Sequence, residues 1–280
     1  MPPTLLVLAA VASVQFGAAL AKTLFDELGA EGTVFVRTLA AALVLALIWR
    51  PRLAGHDRRD LRLAALFGLV LAAMNLCFYA SLDRIPLGIA VTFEFVGPLG
   101  VAVFGSRRPL DLLWVALAAA GILLLSDFGG GGGLDGLGVA LALAAGGFWA
   151  AYILLSARVG QAFPGGAGLA IAMLVATVPL APVGIASAGG ELLVPWILLV
   201  GAAVGVLSSA IPYTLELEAL RRLPVGVFGV LMSMEPAVAA LAGFVVLGEE
   251  LGTRELAAIL LVVAASAGAA YGANVAPRDA

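Results

Sequence analysis

The chain has little charge, one histidine and one cysteine. Only 12% of its 280 residues are Asp, Glu, Lys or Arg, whereas 62% are hydrophobic, and the mean hydropathy is +1.11. A water-soluble core cannot hide that fraction of apolar side chains. The single cysteine, Cys77, excludes an internal disulfide, and His56 lies in a charged loop, so we expect no metal site and no cofactor.

Apolar runs of about 20 residues, the length that a helix needs to cross a bilayer, recur along the whole chain. They predict an all-α integral membrane protein with ten transmembrane helices. Because the first residues carry no basic cluster, we interpret them as a retained first helix rather than a cleaved signal. The predicted spans are 4–23, 32–49, 61–82, 85–105, 110–127, 134–157, 166–188, 192–218, 225–247 and 252–273.

The arginines predict the orientation of these helices. With ten spans and a cytoplasmic N-terminus, eleven arginines fall on the inside, against two arginines and one lysine on the outside. This is a strong positive-inside bias, so both termini are expected in the cytoplasm. The outside set is Lys22, Arg84 and Arg254; the inside set is Arg50, Arg52, Arg58, Arg59, Arg62, Arg107, Arg108, Arg158, Arg221, Arg222 and Arg278.

An internal repeat divides the chain. Leu82–Gly105 aligns without a gap with Leu220–Gly243 at a constant offset of 138, and seven of the 24 positions are identical. Five spans is an odd number, so the second copy is expected to be inverted, as in many secondary transporters. We expect a first five-helix repeat at 1–128, a glycine-rich joint at 129–133, a second five-helix repeat at 134–273 and a cytoplasmic tail at 274–280.

Each copy places one glutamate near the centre of an apolar span, Glu94 in span four and Glu235 in span nine. An ionised carboxylate in hydrocarbon costs at least about 2.5–3.5 kcal/mol, so it is tolerated in a wet cavity, beside a cation or in its protonated form. Burial disfavours the ionised form, so such a group can take up and release a proton, and when ionised it can hold an ammonium group. The alternative is a carboxyl group that bonds a neighbouring helix for packing alone.

Two prolines occupy matching positions in the same spans. Pro98 and Pro236 cannot donate to the helix ladder, and they free the carbonyl groups of Glu94 and Met232. Freed carbonyl groups that line a cavity can bind water or an ammonium group. A hinge shared by the two copies and a simple packing kink are the alternatives.

The remaining polar candidates lie at helical spacing in other spans. Their hydroxyl, amide and carboxyl groups suit a polar substrate, and hydrogen bonding between helices is the ordinary alternative. Glu216, nearer the cytoplasmic end, is also a candidate partner of Arg221 or Arg222. These candidates are Gln15 in span one, Asn75 and Tyr79 in span three, Tyr152 in span six, and Ser209, Tyr213 and Glu216 in span eight.

Two cations lie near the outer helix ends. Lys22 is expected to extend to the membrane interface, with attraction of a departing carboxylate as the alternative. Arg37, a few residues inside span two, is expected to be a structural anchor or a partner of an acidic residue in the preceding connection rather than a substrate ligand. The acidic candidates are Asp26, Glu27 and Glu31.

Two long segments resemble a known family. NLCFYASLDRIPLGIAVTFEFVGPLGVAVFGSRRPLDLLWV and SSAIPYTLELEALRRLPVGVFGVLMSMEPAVAALAGFVVLGEEL resemble the EamA-type branch of the drug/metabolite transporter superfamily. More closely, they resemble bacterial inner-membrane threonine/homoserine exporters. The resemblance implies a ten-helix inverted repeat with a central cavity, efflux of small amino acids against protons, and a place in the bacterial inner membrane.

The resemblance also implies the partners: an amino acid, protons and the lipid bilayer, with no nucleic acid and with a homodimer left open. An exporter of a different small metabolite or a toxic analogue is the alternative. The chain has no HExxH, no intramembrane aspartyl pair and no GxxxxGK[ST], so we expect neither an enzyme nor ATP-driven transport. A scaffold without transport would gain nothing from duplicated buried glutamates.

Overall fold

A computed structural model of the chain describes residues 2–51, 55–104, 110–125, 134–220, 222–223 and 231–275. All regular structure in these ranges is helical. The α-helices are α1 (Pro3–Lys22), α2 (Phe25–Trp49), α3 (Arg58–Leu82), α4 (Leu87–Glu94), α5 (Val96–Phe104), α6 (Leu110–Leu125), α7 (Gly136–Ala162), α8 (Ala167–Ala188), α9 (Pro195–Gly205), α10 (Ile211–Leu220), α11 (Glu235–Ala242) and α12 (Thr253–Val275).

Three short helical segments of other types connect or extend these helices. A 3₁₀ turn, Gly189–Leu193, follows α8, and two π-helical turns, Val206–Ala210 and Gly243–Leu247, follow α9 and α11. Within the described ranges, six helical segments are long and apolar enough to cross a membrane. The predicted all-α membrane class is therefore supported, and the count of ten spans stays a prediction.

The outer surface of the bundle is apolar. Large hydrophobic side chains are exposed on several helices, including Leu47 at 75%, Val178 at 70% and Leu260 at 64%. Exposed apolar side chains on successive turns of long helices would be unfavourable in water, whereas lipid solvates them without cost. The fold therefore has its apolar surface outside as well as in its core.

Helices from the early and late parts of the chain pack directly against each other. Helix α2 contacts α8 and α9, α3 contacts α7 and α8, and α1 contacts α10 and α11. Helix α4 contacts α7 and α11, and α6 contacts α12. These contacts bring polar residues that are distant in sequence to one place in the centre of the bundle.

Two spans that the sequence predicts as continuous are broken beside their glutamates. Span four divides at Phe95 into α4 and α5, and in span nine a turn at Ser233 and Met234 precedes α11. Each break lies just before a proline, Pro98 or Pro236, which removes the N–H that would continue the helix ladder. Residues 224–230, in the first part of predicted span nine, lie outside the described residues.

Helix α2 begins earlier than predicted and has a kink near its start. Its described range begins at Phe25 rather than residue 32, and Gly29 inside it has a φ of 67°. This left-handed conformation favours glycine, and a side chain there would also overlap the Ser187 hydroxyl group. Gly29 therefore divides α2 into a short segment that begins at Phe25 and the long helix that contains Arg37.

The backbone of Glu94 is held by a glycine of α7. A β-carbon at Gly146 would overlap the carbonyl oxygen of Glu94, and one at Gly97 would overlap the carbonyl oxygen of Gly146. The carbonyl group that Pro98 frees therefore packs against α7. Close backbone approach between small residues is a common mode of helix packing in membranes.

This contact predicts that Gly146→Val destabilises the fold, whereas Gly147→Val does not. The added side chain overlaps the α4 backbone at Gly146, and overpacking costs about 1–3 kcal/mol. A β-carbon at the neighbouring Gly147 meets nothing within 4 Å. Thermal unfolding of both purified variants in the same detergent measures the difference, and equal midpoints would contradict the close approach.

Candidate functional site: a polar cavity inside the bundle

A cavity of about 90 Å³ lies among α1, α2, α3, α4, α7, α10, α11 and the first π turn. It combines charged, hydroxyl, amide and aromatic groups in an otherwise apolar bundle. Its lining residues are Val14, Gln15, Ala18, Arg37, Met74, Asn75, Phe78, Tyr79, Glu94, Trp149, Tyr152, Ser208, Tyr213, Glu216, Met232 and Glu235.

Three carboxyl groups face this cavity from three different helices. Glu94 is the last residue of α4, Glu216 lies in α10, and Glu235 is the first residue of α11. Glu94 and Glu235 are only 8% and 5% exposed. The side chain of Gln15 donates a hydrogen bond from Nε2 to Oε2 of Glu235 at 3.3 Å, which ties α1 to the break in span nine.

Arg37 lines the same cavity from α2. Its guanidinium group donates to the hydroxyl groups of Ser208 at 2.7 Å and Ser209 at 3.2 Å, and to Oδ1 of Asn75. It also lies 4.5 Å from the centre of the Tyr79 ring, a cation–π distance. The expected pairing with the acidic residues before span two does not occur, because the guanidinium group bonds residues of α3 and the first π turn instead.

The first π turn brings two adjacent serines to Arg37. Val206–Ala210 is wound with the wider π spacing, and the N–H of Ile211 bonds the carbonyl group of Val206. Pro212 follows this turn and has no N–H to give to the carbonyl group four residues earlier, that of Ser208. The wider turn places the buried side chains of Ser208 and Ser209 together, and such turns occur frequently at functional sites.

Aromatic rings form much of the remaining wall. The rings of Tyr152 and Tyr213 lie 6.3 Å apart, and Phe67 stacks on Tyr152 at 5.2 Å. Tyr79 is 1% exposed and contacts Phe78 edge-on. Rigid rings with polar tips define the shape of a cavity while keeping it compatible with water.

Eight of the eleven predicted site residues line this cavity: Gln15, Asn75, Tyr79, Glu94, Tyr152, Tyr213, Glu216 and Glu235. Ser209 reaches it through Arg37. Pro98 and Pro236 do not line it and instead adjoin the helix breaks. Arg222 bonds Glu218 rather than the cavity residue Glu216, and Arg221 lies outside the described residues.

Sequence reasoning missed Arg37 and Ser208 as members of the site. A charge inside an apolar run is itself a signal of function, but the predicted start of span two at residue 32 placed Arg37 near the interface. Ser208 lies next to a predicted candidate, and only the π turn brings both serines inward. Across the described residues, no group of three His, Cys, Asp or Glu side chains is arranged to hold a metal ion.

One end of the bundle is closed by an ion pair. The Nζ atom of Lys22 lies 2.8 Å from Oε1 of Glu249 and donates to the carbonyl group of Ile85 at 3.4 Å. The other oxygen of Glu249 accepts the N–H of Leu87 at 2.9 Å, at the start of α4. Lys22 therefore joins the end of α1 to α4 and to the segment after α11, instead of extending freely to the interface.

A second ion pair is more exposed. Arg84 lies 3.1 Å from Asp135, and both side chains are 39% exposed. Asp135 also caps α7 by accepting the N–H of Gly138 at 2.9 Å. This backbone hydrogen bond makes the largest contribution to holding the pKa of Asp135 below its usual range, and the charge and hydrogen bond of Arg84 add to it.

Together, the apolar exterior, the apolar helices and the internal cavity define an α-helical membrane protein with a polar interior site. The chain belongs to the EamA-like transporter family. Its residues 136–271 match the sequence profile of that family.

Two similar proteins cover nearly the whole chain. The threonine/homoserine exporter RhtA of Salmonella typhimurium strain LT2 is 46% identical over 270 residues, which is 95% of this chain and 90% of the relative. RhtA of Escherichia coli strain K12 is 46% identical over 271 residues, with the same coverage. A solved crystal structure has the same fold, with a TM-score of 0.64 and 19% identity over 97% of both chains.

The two ion pairs predict different coupling energies. In a double-mutant cycle on thermal unfolding, Lys22→Gln and Glu249→Gln should couple by about 0.5–3 kcal/mol, because the pair is mostly buried and shares backbone partners. Arg84→Gln and Asp135→Asn form the matched control and should couple more weakly, because water screens that pair. A larger coupling in the exposed pair would contradict this assignment.

Proposed function

We propose that this protein is a secondary active exporter of small amino acids of the threonine/homoserine type, driven by proton antiport with alternating access to the central cavity. The observation that carries the proposal is the cavity itself, which offers carboxyl groups and a guanidinium group inside an apolar bundle. The relatives named threonine/homoserine exporters support the same substrate class.

The size of the cavity suits a small solute. One buried water needs roughly 10–15 Å³ of cavity volume, counted as the space open to the centre of a water-sized sphere. By the same measure, the cavity of about 90 Å³ has room for on the order of six to nine waters. That number is comparable to the number of non-hydrogen atoms in threonine or homoserine. An aromatic amino acid would require the walls to move apart.

The carboxyl groups support coupling to protons. Glu94, Glu216 and Glu235 surround one small cavity, and three ionised carboxylates there would repel each other strongly. Arg37 in the same cavity balances one negative charge, so the other carboxylates require further cations, either protons or the ammonium group of a substrate. Competition between these two kinds of cation for the same carboxylates is the physical basis of an antiporter.

The packing supports an inverted repeat of five spans. In an inverted repeat, each predicted span corresponds to the span five places later or earlier in the chain. The contact between spans three and six (α3 with α7) then corresponds to the contact between spans eight and one (α10 with α1), and both are present. In the same way, the contact of α3 with α8 corresponds to that of α9 with α2, and that of α4 with α7 to that of α11 with α1. Such a contact pattern is expected of two modules related by a two-fold axis in the membrane plane.

Two glycines, Gly68 and Gly205, make equivalent close contacts in the two halves and support the same inverted repeat. A β-carbon at Gly68 would meet the carbonyl oxygen of Ala172, and one at Gly205 would meet that of Arg37. Gly205 comes 137 positions after Gly68, whereas Tyr213 comes 138 positions after Asn75. The π turn between Gly205 and Tyr213 accounts for the one added residue.

We extend this arrangement to the domains and the membrane. The repeats are 1–128 and 134–273, joined at 129–133, with a tail at 274–280. The arginine distribution supports cytoplasmic termini in a bacterial inner membrane. The pair of Lys22 and Glu249 then lies at the outer end of the bundle, where it holds the described helix ends together.

This function predicts that Glu94→Gln and Glu235→Gln retain the fold but lose proton-driven export. The amide cannot exchange a proton, so efflux of labelled threonine driven by a pH gradient in proteoliposomes should fall to the level of protein-free liposomes. Glu27→Gln, at an exposed position of α2, is the matched control and should transport normally. Full proton-driven efflux in both cavity variants would remove these carboxyl groups from the mechanism.

The substrate class is tested by counterflow with the wild-type protein. We expect unlabelled threonine or homoserine on the opposite side of the membrane to accelerate uptake of labelled threonine, and aromatic or acidic amino acids to have no effect. Acceleration by a different metabolite alone would identify another exporter within the same family.

A further inference from the structure

Arg37 is a buried cation whose hydrogen-bond partners are all neutral. It is 4% exposed and bonds the hydroxyl groups of Ser208 and Ser209 and the amide oxygen of Asn75. Its Nε atom is buried without a hydrogen-bond partner. Within the described ranges, no carboxylate oxygen lies within 4 Å of the guanidinium group.

A cation in this position is costly unless an anion joins it. Arginine at the centre of a membrane helix costs at least about 2.5–3.5 kcal/mol on insertion scales. Neutral hydrogen bonds recover part of this cost, but buried charges in proteins are usually paired with an opposite charge. The planar guanidinium group is suited to bind a carboxylate through two parallel hydrogen bonds.

The fold does not itself require an arginine here. The contacts of Gly68 and Gly205 make Ala172 of α8 the structural counterpart of Arg37 in α2. In both places a residue three positions later, Val175 or Ala40, contacts the same glycine. Since the counterpart position is occupied by a fully buried alanine, helix packing alone is satisfied by a small apolar side chain.

We infer that Arg37 binds the carboxylate group of the exported amino acid and thereby selects substrates that carry a free carboxylate. The inference rests on the proposed function and names the group that recognises one end of the substrate. The substrate carboxylate then supplies the directly bonded anion, because no described carboxylate oxygen lies within 4 Å of the guanidinium group.

This assignment also orients the substrate. Arg37, Asn75 and Ser208 form the cationic side of the cavity, on α2, α3 and the first π turn. The acidic residues Glu94, Glu216 and Glu235 lie on α4, α10 and α11 and offer partners for the ammonium group. A zwitterion therefore binds with its carboxylate at Arg37 and its ammonium group at one of these carboxylates, and its small side chain is left to contact the aromatic wall.

The test compares threonine with two analogues that lack the carboxylate. These are threoninamide and 1-amino-2-propanol, the decarboxylated form of threonine. In counterflow with wild-type proteoliposomes, threonine should exchange and both analogues should not. Arg37→Gln should raise the KM for threonine about tenfold or more, because a charge-assisted hydrogen bond is lost, and should reduce the discrimination against the amide. Arg37→Lys keeps the charge but not the planar guanidinium group, so its KM for threonine should lie between those of the wild type and Arg37→Gln.

Arg58→Gln, at an exposed position at the start of α3, is the control and should match the wild type. Wild-type exchange of the amine or amide as readily as threonine overturns the inference without any variant, so it stays testable if Arg37→Gln fails to fold. A purely structural Arg37 would lower the amount of folded protein but leave the preference for threonine over the amide unchanged. Absence of counterflow with every small amino acid would overturn the proposed function, and this inference with it.

Discussion

A charged side chain inside a bilayer is stable only when other polar groups surround it, and this constraint organises the centre of the molecule. Arg37, Glu94 and Glu235 lie on different apolar helices, and each would be unfavourable if its helix faced lipid. The helices therefore pack with these residues facing inward, around a cavity that admits water-sized solutes. The apolar exterior follows from the same constraint, since every remaining face contacts lipid.

The helix breaks connect this constraint to motion. The helices are interrupted beside Glu94 and Glu235, where a following proline removes one backbone hydrogen bond. A helix interrupted at mid-depth can bend there without losing further hydrogen bonds. In an alternating-access transporter, the residues that bind the substrate would then lie at the points where the helices move.

The two repeats do not contribute equally to the cavity. Pro98 and Pro236 occupy matching positions, whereas Glu94 matches Met232 and Arg37 matches Ala172. The helix contacts are similar in the two halves of the sequence, whereas the side chains that line the cavity differ between them. An amino acid has two different charged ends, so an asymmetric cavity fits it better than a symmetric one.

The sequence by itself indicated the apolar helical class, the paired prolines beside the glutamates and eight of the residues that line the cavity. These follow from the length of apolar runs and from the cost of placing a carboxyl group among them. The place of Arg37 in the cavity depended on its partners Asn75, Ser208 and Ser209, which lie on other helical segments. The inward direction of Ser208 depended on a π turn, and the pairing of Lys22 with Glu249 joins residues 227 positions apart. Only the tertiary structure decided these features, because local periodicity carries no information about which distant helix faces a given side chain.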